Sequence, residues 1–372
     1  MPLADRADQP ALLRHAEDDI PLGEWKKGVR LPRRLRAPQE TGGDPKGGLV
    51  SPSPSQPAQH IVHAMRKSFA TFLKATALVI LALGGCCYLL SRIPPLPKNY
   101  FEKVRTGGEI EAKYLAMGPH GVERLETATF SSLRKFVVHY PRDIEAMGKA
   151  PVVIFLNGTG TPASKYPALQ RHMASWGFIV IGNEEDHAFY GEAVELSIRY
   201  LLLADAYGSG NEASPLKGHV DFDHMGVTGH SQGGVGVING ITIHPNSHRI
   251  KAAVMSCATD TDLAKALLWD CDASLIRADT MMLTSTGPVD ASIAPLDSMR
   301  KTYDSISEEV TKVLARRKDC DHGEMLYSAD GYVTAWFMWR LQGDQEAARA
   351  FSGTDPELFR NPLYQDQMGN QP

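Results

Sequence analysis

The alternation of polar and apolar positions divides this chain into three regimes. Residues 1–60 are polar, and 38–59 is rich in Pro, Ser and Gly. Such a segment cannot bury enough apolar surface to offset its ordering entropy, so 1–64 reads as a disordered polar segment. An uncharged, mostly apolar run of about 17 residues then fills 75–91, behind the basic start Met65-Arg66-Lys67 and ahead of Pro94-Pro95-Leu96-Pro97. That length is near the lower limit for crossing a bilayer, and the flanks predict a signal or transmembrane anchor over 65–92. A linker at 93–106 leads into the third regime, where apolar runs and helical periods alternate. Strands are predicted at 151–156, 178–181, 225–228, 251–255, 280–283 and 310–315. Helices are predicted at about 162–176, 192–207, 232–239 and 330–341. The stretches 109–117 and 125–140 are β-prone, most clearly at 136–138. The alternation predicts an α/β domain over 107–352, a mostly parallel central sheet with helices on both faces, followed by a C-terminal tail at 353–372.

The N-terminal regime leaves several outcomes open. Read from Met65, the segment has the proportions of a whole export signal, which suggests translation from Met65. Leu83-Gly84-Gly85-Cys86 also resembles a lipobox, in which Cys86 is acylated. Retention as an anchor, lipidation at Cys86 and cleavage all put the C-terminal domain in the cell envelope, on the extracytoplasmic side.

The formal net charge of −4 over 372 residues gives no electrostatic case for a nucleic-acid partner. Of five cysteines, Cys86 and Cys87 lie in the apolar run. Cys257 sits in another apolar stretch, 252–257, and reads as a buried thiol. Cys271 and Cys320 remain as the better disulfide pair in an oxidising compartment. No zinc-ligand spacing is present in the cysteines.

The chemistry centres on Gly229-His230-Ser231-Gln232-Gly233, directly after the strand at 225–228. Gly-x-Ser-x-Gly at a strand-to-helix turn is the nucleophile elbow, which lifts a serine hydroxyl above the sheet edge. The hydroxyl needs a base, and the base needs an orienting acid. On such sheets the acid and then the histidine follow the serine. His322, after the last predicted strand and before the closing helix, fits the base; His244 and His248 precede every acid candidate. Asp290, after the strand at 280–283, is the favoured acid, with Asp260 as the alternative. Backbone N–H groups of Thr159, in Asn157-Gly158-Thr159-Gly160, and of Gln232 are the candidate oxyanion donors. Phe189, Tyr190 and Trp269 read as packing residues that border a pocket. Glu184, Glu185, Asp186 and His187 read as a solvated polar loop near its mouth.

Several stretches carry a family resemblance: 151–160, Ala174-Ser175-Trp176-Gly177-Phe178-Ile179-Val180, and Asp223 through Gly234 around the elbow. Asp290-Ala291-Ser292-Ile293-Ala294-Pro295 and Asp321-His322-Gly323 complete the set. Across about 105–345 the chain resembles α/β-hydrolases, within them the dienelactone hydrolase, chlorophyllase and cutinase-like polyester hydrolase branch. The resemblance implies an α/β-hydrolase fold and a metal-free, cofactor-free serine esterase acting on a small-molecule or polymeric ester. The chain departs from common patterns at Asn157, where many relatives have histidine or proline, and in a polar insert at 208–218.

Two rival readings stand beside this one. His219, Asp221, Asp223 and His224 alternate metal-ligand types, as a metal-dependent hydrolase requires. An envelope binding protein that keeps the hydrolase fold without its chemistry is the other.

Overall fold

The computed structural model describes residue 74 and residues 96–207 and 214–370. The chain divides into two units, Met1–Phe69 and Ala70–Pro372, and every described residue belongs to the second. The polar segment 1–64 and the apolar run 75–91 with Cys86 lie outside the described residues, as does most of the 208–218 insert. Among the described residues no helix is long and apolar enough to cross a membrane.

Nine strands form one sheet: β1 (Val122–Ala128), β2 (Lys135–Pro141), β3 (Ala150–Leu156), β4 (Ile179–Asn183), β5 (Val220–His230), β6 (Ile250–Ser256), β7 (Asp279–Ser285), β8 (Lys312–Arg317) and β9 (Tyr364–Gly369). Their spatial order is β1-β2-β4-β3-β5-β6-β7-β8-β9. The six strands from β4 to β8 in that order pair in parallel, and β1, β2 and β9 add antiparallel edges. The α/β expectation with a mostly parallel sheet is met. Every residue of β3 and β4 is buried, which is why their sequences are continuous apolar runs rather than alternating ones.

Among the described residues, seven helices of six or more residues flank the sheet and its cleft: α1 (Glu109–Leu115), α2 (Pro167–Ser175), α3 (Glu192–Tyr207), α4 (Gln232–Gly240), α5 (Thr261–Ala266), α6 (Leu296–Ser305) and α7 (Asp330–Gln342). Two glycines of β5 reveal how the layers stack. A Cβ on Gly226 would lie 2.6 Å from the Phe337 ring of α7, and one on Gly229 would lie 2.2 Å from the Gly233 carbonyl of α4. Positions an odd number apart on a strand face opposite ways, so α7 and α4 cover opposite faces of the sheet.

Three expectations are corrected. The β-prone stretch 109–117 is the helix α1: the Glu357 carboxylate accepts from the Ile110 and Glu111 N–H groups at 2.8 and 2.9 Å, capping it from 246 residues away. Within the tail, residues 353–370 are not a loose extension, because Glu357–Arg360 is a helical turn and β9 pairs with β8. The described part of the linker, 96–106, is also docked. Tyr100 is buried and its hydroxyl donates to Asp330, which also holds His172 Nδ1 at 2.7 Å.

Candidate active site

The carboxyl ends of consecutive parallel strands converge on one cleft, where open α/β sheets bind their ligands. β5 ends at His230 and is followed by Ser231, whose φ of 59° and ψ of −121° are strained for a residue with a side chain. Such a conformation persists only when its surroundings enforce it. Here the Ser231 N–H is held by the Ser256 carbonyl at 3.0 Å, and the glycines on either side admit the tight turn onto α4. Gln232 is the first residue of α4, so its N–H is one of the helix-start donors without an intrahelical acceptor. Its side chain is tied down by a bond from Nε2 to the Asp186 carbonyl at 2.8 Å.

After β7, a single helical turn, Asp290–Ile293, places the Asp290 carboxylate 1 % exposed. Its Oδ1 lies 2.6 Å from His322 Nδ1. Its Oδ2 accepts from the Ser285 N–H at 2.9 Å, the Ser285 hydroxyl at 2.5 Å and the Cys257 thiol at 2.8 Å. Burial works to raise the pKa of this carboxyl, but the bonds from His322, Cys257 and Ser285 outweigh it and hold the group well below the usual range. Asp290 therefore stays ionised, an acceptor facing His322 Nδ1. Asp260, the alternative acid, is committed elsewhere: it caps α5 through the Leu263 N–H at 2.8 Å. His244 is half-buried and His248 exposed, and they bond the carbonyls of Tyr190 and Pro245.

Thr159, Ser231 and His322 line the same cleft of about 560 Å³, whose other walls are largely apolar, including Leu263, Trp269 and Ile293. Asn157 explains how the Thr159 loop is held. It is fully buried; its Nδ2 donates to the carbonyls of Asn183 and Glu185 at 2.9 and 3.0 Å, and its Oδ1 accepts from the Tyr166 hydroxyl at 2.5 Å. Gly158 must be glycine for space: a Cβ there would come within 2.9 Å of both His230 Nδ1 and Thr161 Oγ1.

The contacts of three further residues escaped the sequence reading. His230 Nε2 lies 2.7 Å from the His322 carbonyl, so it donates, and His230 holds the backbone of the facing loop. Burial, and then the neighbouring His322 ring, push the pKa of His230 down to about 3, which leaves that ring neutral. Asp321 Oδ1 accepts from the Val289 and His322 N–H groups at 3.1 and 2.8 Å, joining the loop of Asp290 to that of His322. Cys257 is the buried thiol expected, and its donation to Asp290 is the new finding. A local signal existed for none of these contacts.

A family model described as PET hydrolase-like matches residues 106–360. The chain belongs to the PET hydrolase-like family. No curated protein matches it. Membership in the PET hydrolase-like family makes the chain a carboxylic ester hydrolase. In this PET hydrolase-like chain the run proposed for a metal lies at the far end of β5. Asp221 pairs with Pro151 and Gly229 with Leu156, which sets Asp221 about 17 Å back from the elbow along the sheet; there His224 Nδ1 lies 2.8 Å from Asp221 Oδ2, and His219 Nδ1 lies 2.5 Å from the Gly148 carbonyl. Among the described residues the one metal-type trio is His230, Cys257 and His322, with ligand atoms within 4.8 Å. Each of the three is already engaged in hydrogen bonds, to the His322 carbonyl and to Asp290. The expected Cys271–Cys320 disulfide is absent. Both thiols are free: Cys271 packs on Phe189, Val235 and Ala264, whereas Cys320 Sγ rests 3.4 Å from Met325 Sδ. The polar-loop reading of 184–187 also fails at Glu185, which is buried. Phe189 and Trp269 stack at 4.6 Å, so Trp269 serves both packing and the cleft wall.

Proposed function

We propose that the chain is an envelope-associated serine hydrolase that opens carboxylic esters through an acyl-enzyme. Ser231 Oγ attacks the ester carbonyl while His322 Nε2 takes its proton. Asp290 holds the imidazole in the required tautomer and stabilises the imidazolium that forms. The N–H groups of Thr159 and Gln232 receive the developing oxyanion. The imidazolium returns the proton to the departing alkoxide; water, activated by the same nitrogen, then releases the acid. The apolar lining of the cleft suits an aliphatic or aromatic acyl group, and the scheme calls on no cofactor. The apolar run 75–91 is assigned the role of anchor or export signal.

The observation that carries this reading is the Asp290–His322 hydrogen bond of 2.6 Å, in the wall of the cleft that Ser231 also lines, with Ser231 held at φ 59°. A fluorophosphonate should label the wild-type chain at Ser231. Ser231→Ala should escape labelling and lose turnover of p-nitrophenyl acetate by about 10⁴-fold or more, with its circular dichroism and Tm retained. Wild-type turnover in that variant overturns the assignment. An unlabelled, inactive wild-type chain favours the binding-protein reading instead.

A further inference from the structure

The wall of the cleft is built in part by the chain that leads out of the apolar run. Leu96 and Pro97 line it together with Ser231 and His322. This strip is clamped, since the Leu96 N–H donates to the Lys165 carbonyl at 2.7 Å and Tyr100 is buried with its hydroxyl on Asp330. Leu96 lies only five positions beyond Ser91, the end of the apolar run. Fully extended, that stretch reaches no more than about 18 Å. Anything that holds residues 75–91 is therefore held close to the cleft.

Part of the lining is apolar and exposed. Leu267 and Val289 line the cleft yet are 42 % and 46 % exposed, and Leu268 between Leu267 and Trp269 is 79 % exposed. Leu268 has φ 62°, just past the end of α5, where glycine or asparagine is the unstrained choice. A branched apolar side chain is thus presented to the outside from a backbone conformation that disfavours it.

We propose that the mouth of the cleft docks on the bilayer that holds residues 75–91, and that its substrate is a long-chain acyl ester drawn from that lipid phase. Leu268 enters the acyl region, the short tether keeps the mouth facing the surface, and hydrolysis adds water across the acyl–oxygen bond to give a fatty acid and an alcohol. This rests on the serine-hydrolase and anchor readings above.

The test uses the full chain reconstituted in phosphatidylcholine–phosphatidylglycerol vesicles that carry 4-methylumbelliferyl oleate, with p-nitrophenyl acetate in water as reference. Two variants are compared with wild type: Leu268→Asn, which suits the backbone and removes the apolar tip, and an insertion of about 20 Gly/Ser residues after Arg92, which frees the domain from the surface. Both should keep the p-nitrophenyl acetate rate. The ratio of vesicle to aqueous turnover should fall about tenfold in each. A wild-type ratio in either variant overturns the proposal. A wild-type chain that turns over neither ester is a different result: it removes the hydrolase reading, and this proposal with it.

Discussion

Glu185 lies directly behind the loop that carries Thr159. Its carbonyl accepts from Asn157 Nδ2, its N–H donates to Asn183 Oδ1 at 2.9 Å, and its side chain is 5 % exposed. Burial first, and the charge of Glu192 second, raise its pKa from 4.5 to about 7. In the unfolded chain the group returns to its ordinary value. Between pH 4.5 and 7 the folded protein therefore keeps a proton that the unfolded chain has lost, and stability falls as pH rises through that window. Integrated from pH 5 to pH 8, the loss is on the order of 2–3 kcal/mol. Glu185→Gln keeps the shape and the buried oxygen and removes the charge, so it should lack this loss. Urea unfolding of both proteins at pH 5 and pH 8 measures it: wild type should lose on the order of 2–3 kcal/mol more than the variant, all other titrating groups being common to both. Parallel losses in the two proteins, or a larger loss in Glu185→Gln, would refute the reasoning.

Asp290→Asn should lower kcat by about 10⁴-fold through the wrong imidazole tautomer. Asp260→Asn should leave kcat within about threefold, since asparagine caps a helix nearly as well as aspartate; a large loss there would move the acid. Asn157→Ala strips the Tyr166 hydroxyl of its acceptor and releases the Thr159 loop, so it should cost about 2 kcal/mol in urea unfolding and about 10²-fold in kcat. Cys257→Ala removes the weakest of the donors to Asp290 and should lower kcat a few-fold with KM unchanged; an unaltered kcat would reduce Cys257 to packing.

Much of the fold was legible because its signals are local. Continuous apolar runs marked β3 and β4, and the predicted helix 192–207 coincides with α3. The elbow was legible because five adjacent residues carry it, and Asp290 and His322 because each follows a readable strand. What stayed hidden depends on partners remote in sequence. Cys257 meets Asp290 across 33 positions, and His230 meets the His322 carbonyl across 92; neither contact leaves a period or a spacing. Helix α1 was misread for the same reason, because its cap comes from Glu357. Glu185 was misread because three acidic neighbours in sequence suggested a solvated loop, whereas one of the three turns inward.

The pairing of β9 with β8 protects an edge of the sheet. β8 leads straight into the loop of His322, and its outer edge is covered by Tyr364–Gly369. A product cut before 364 carries β8 with a row of unpaired backbone donors and acceptors, an invitation to sheet-to-sheet aggregation. The strand that shields this edge thus also braces the strand that leads into the loop of the proposed base, so solubility and the placing of His322 depend on the same six residues.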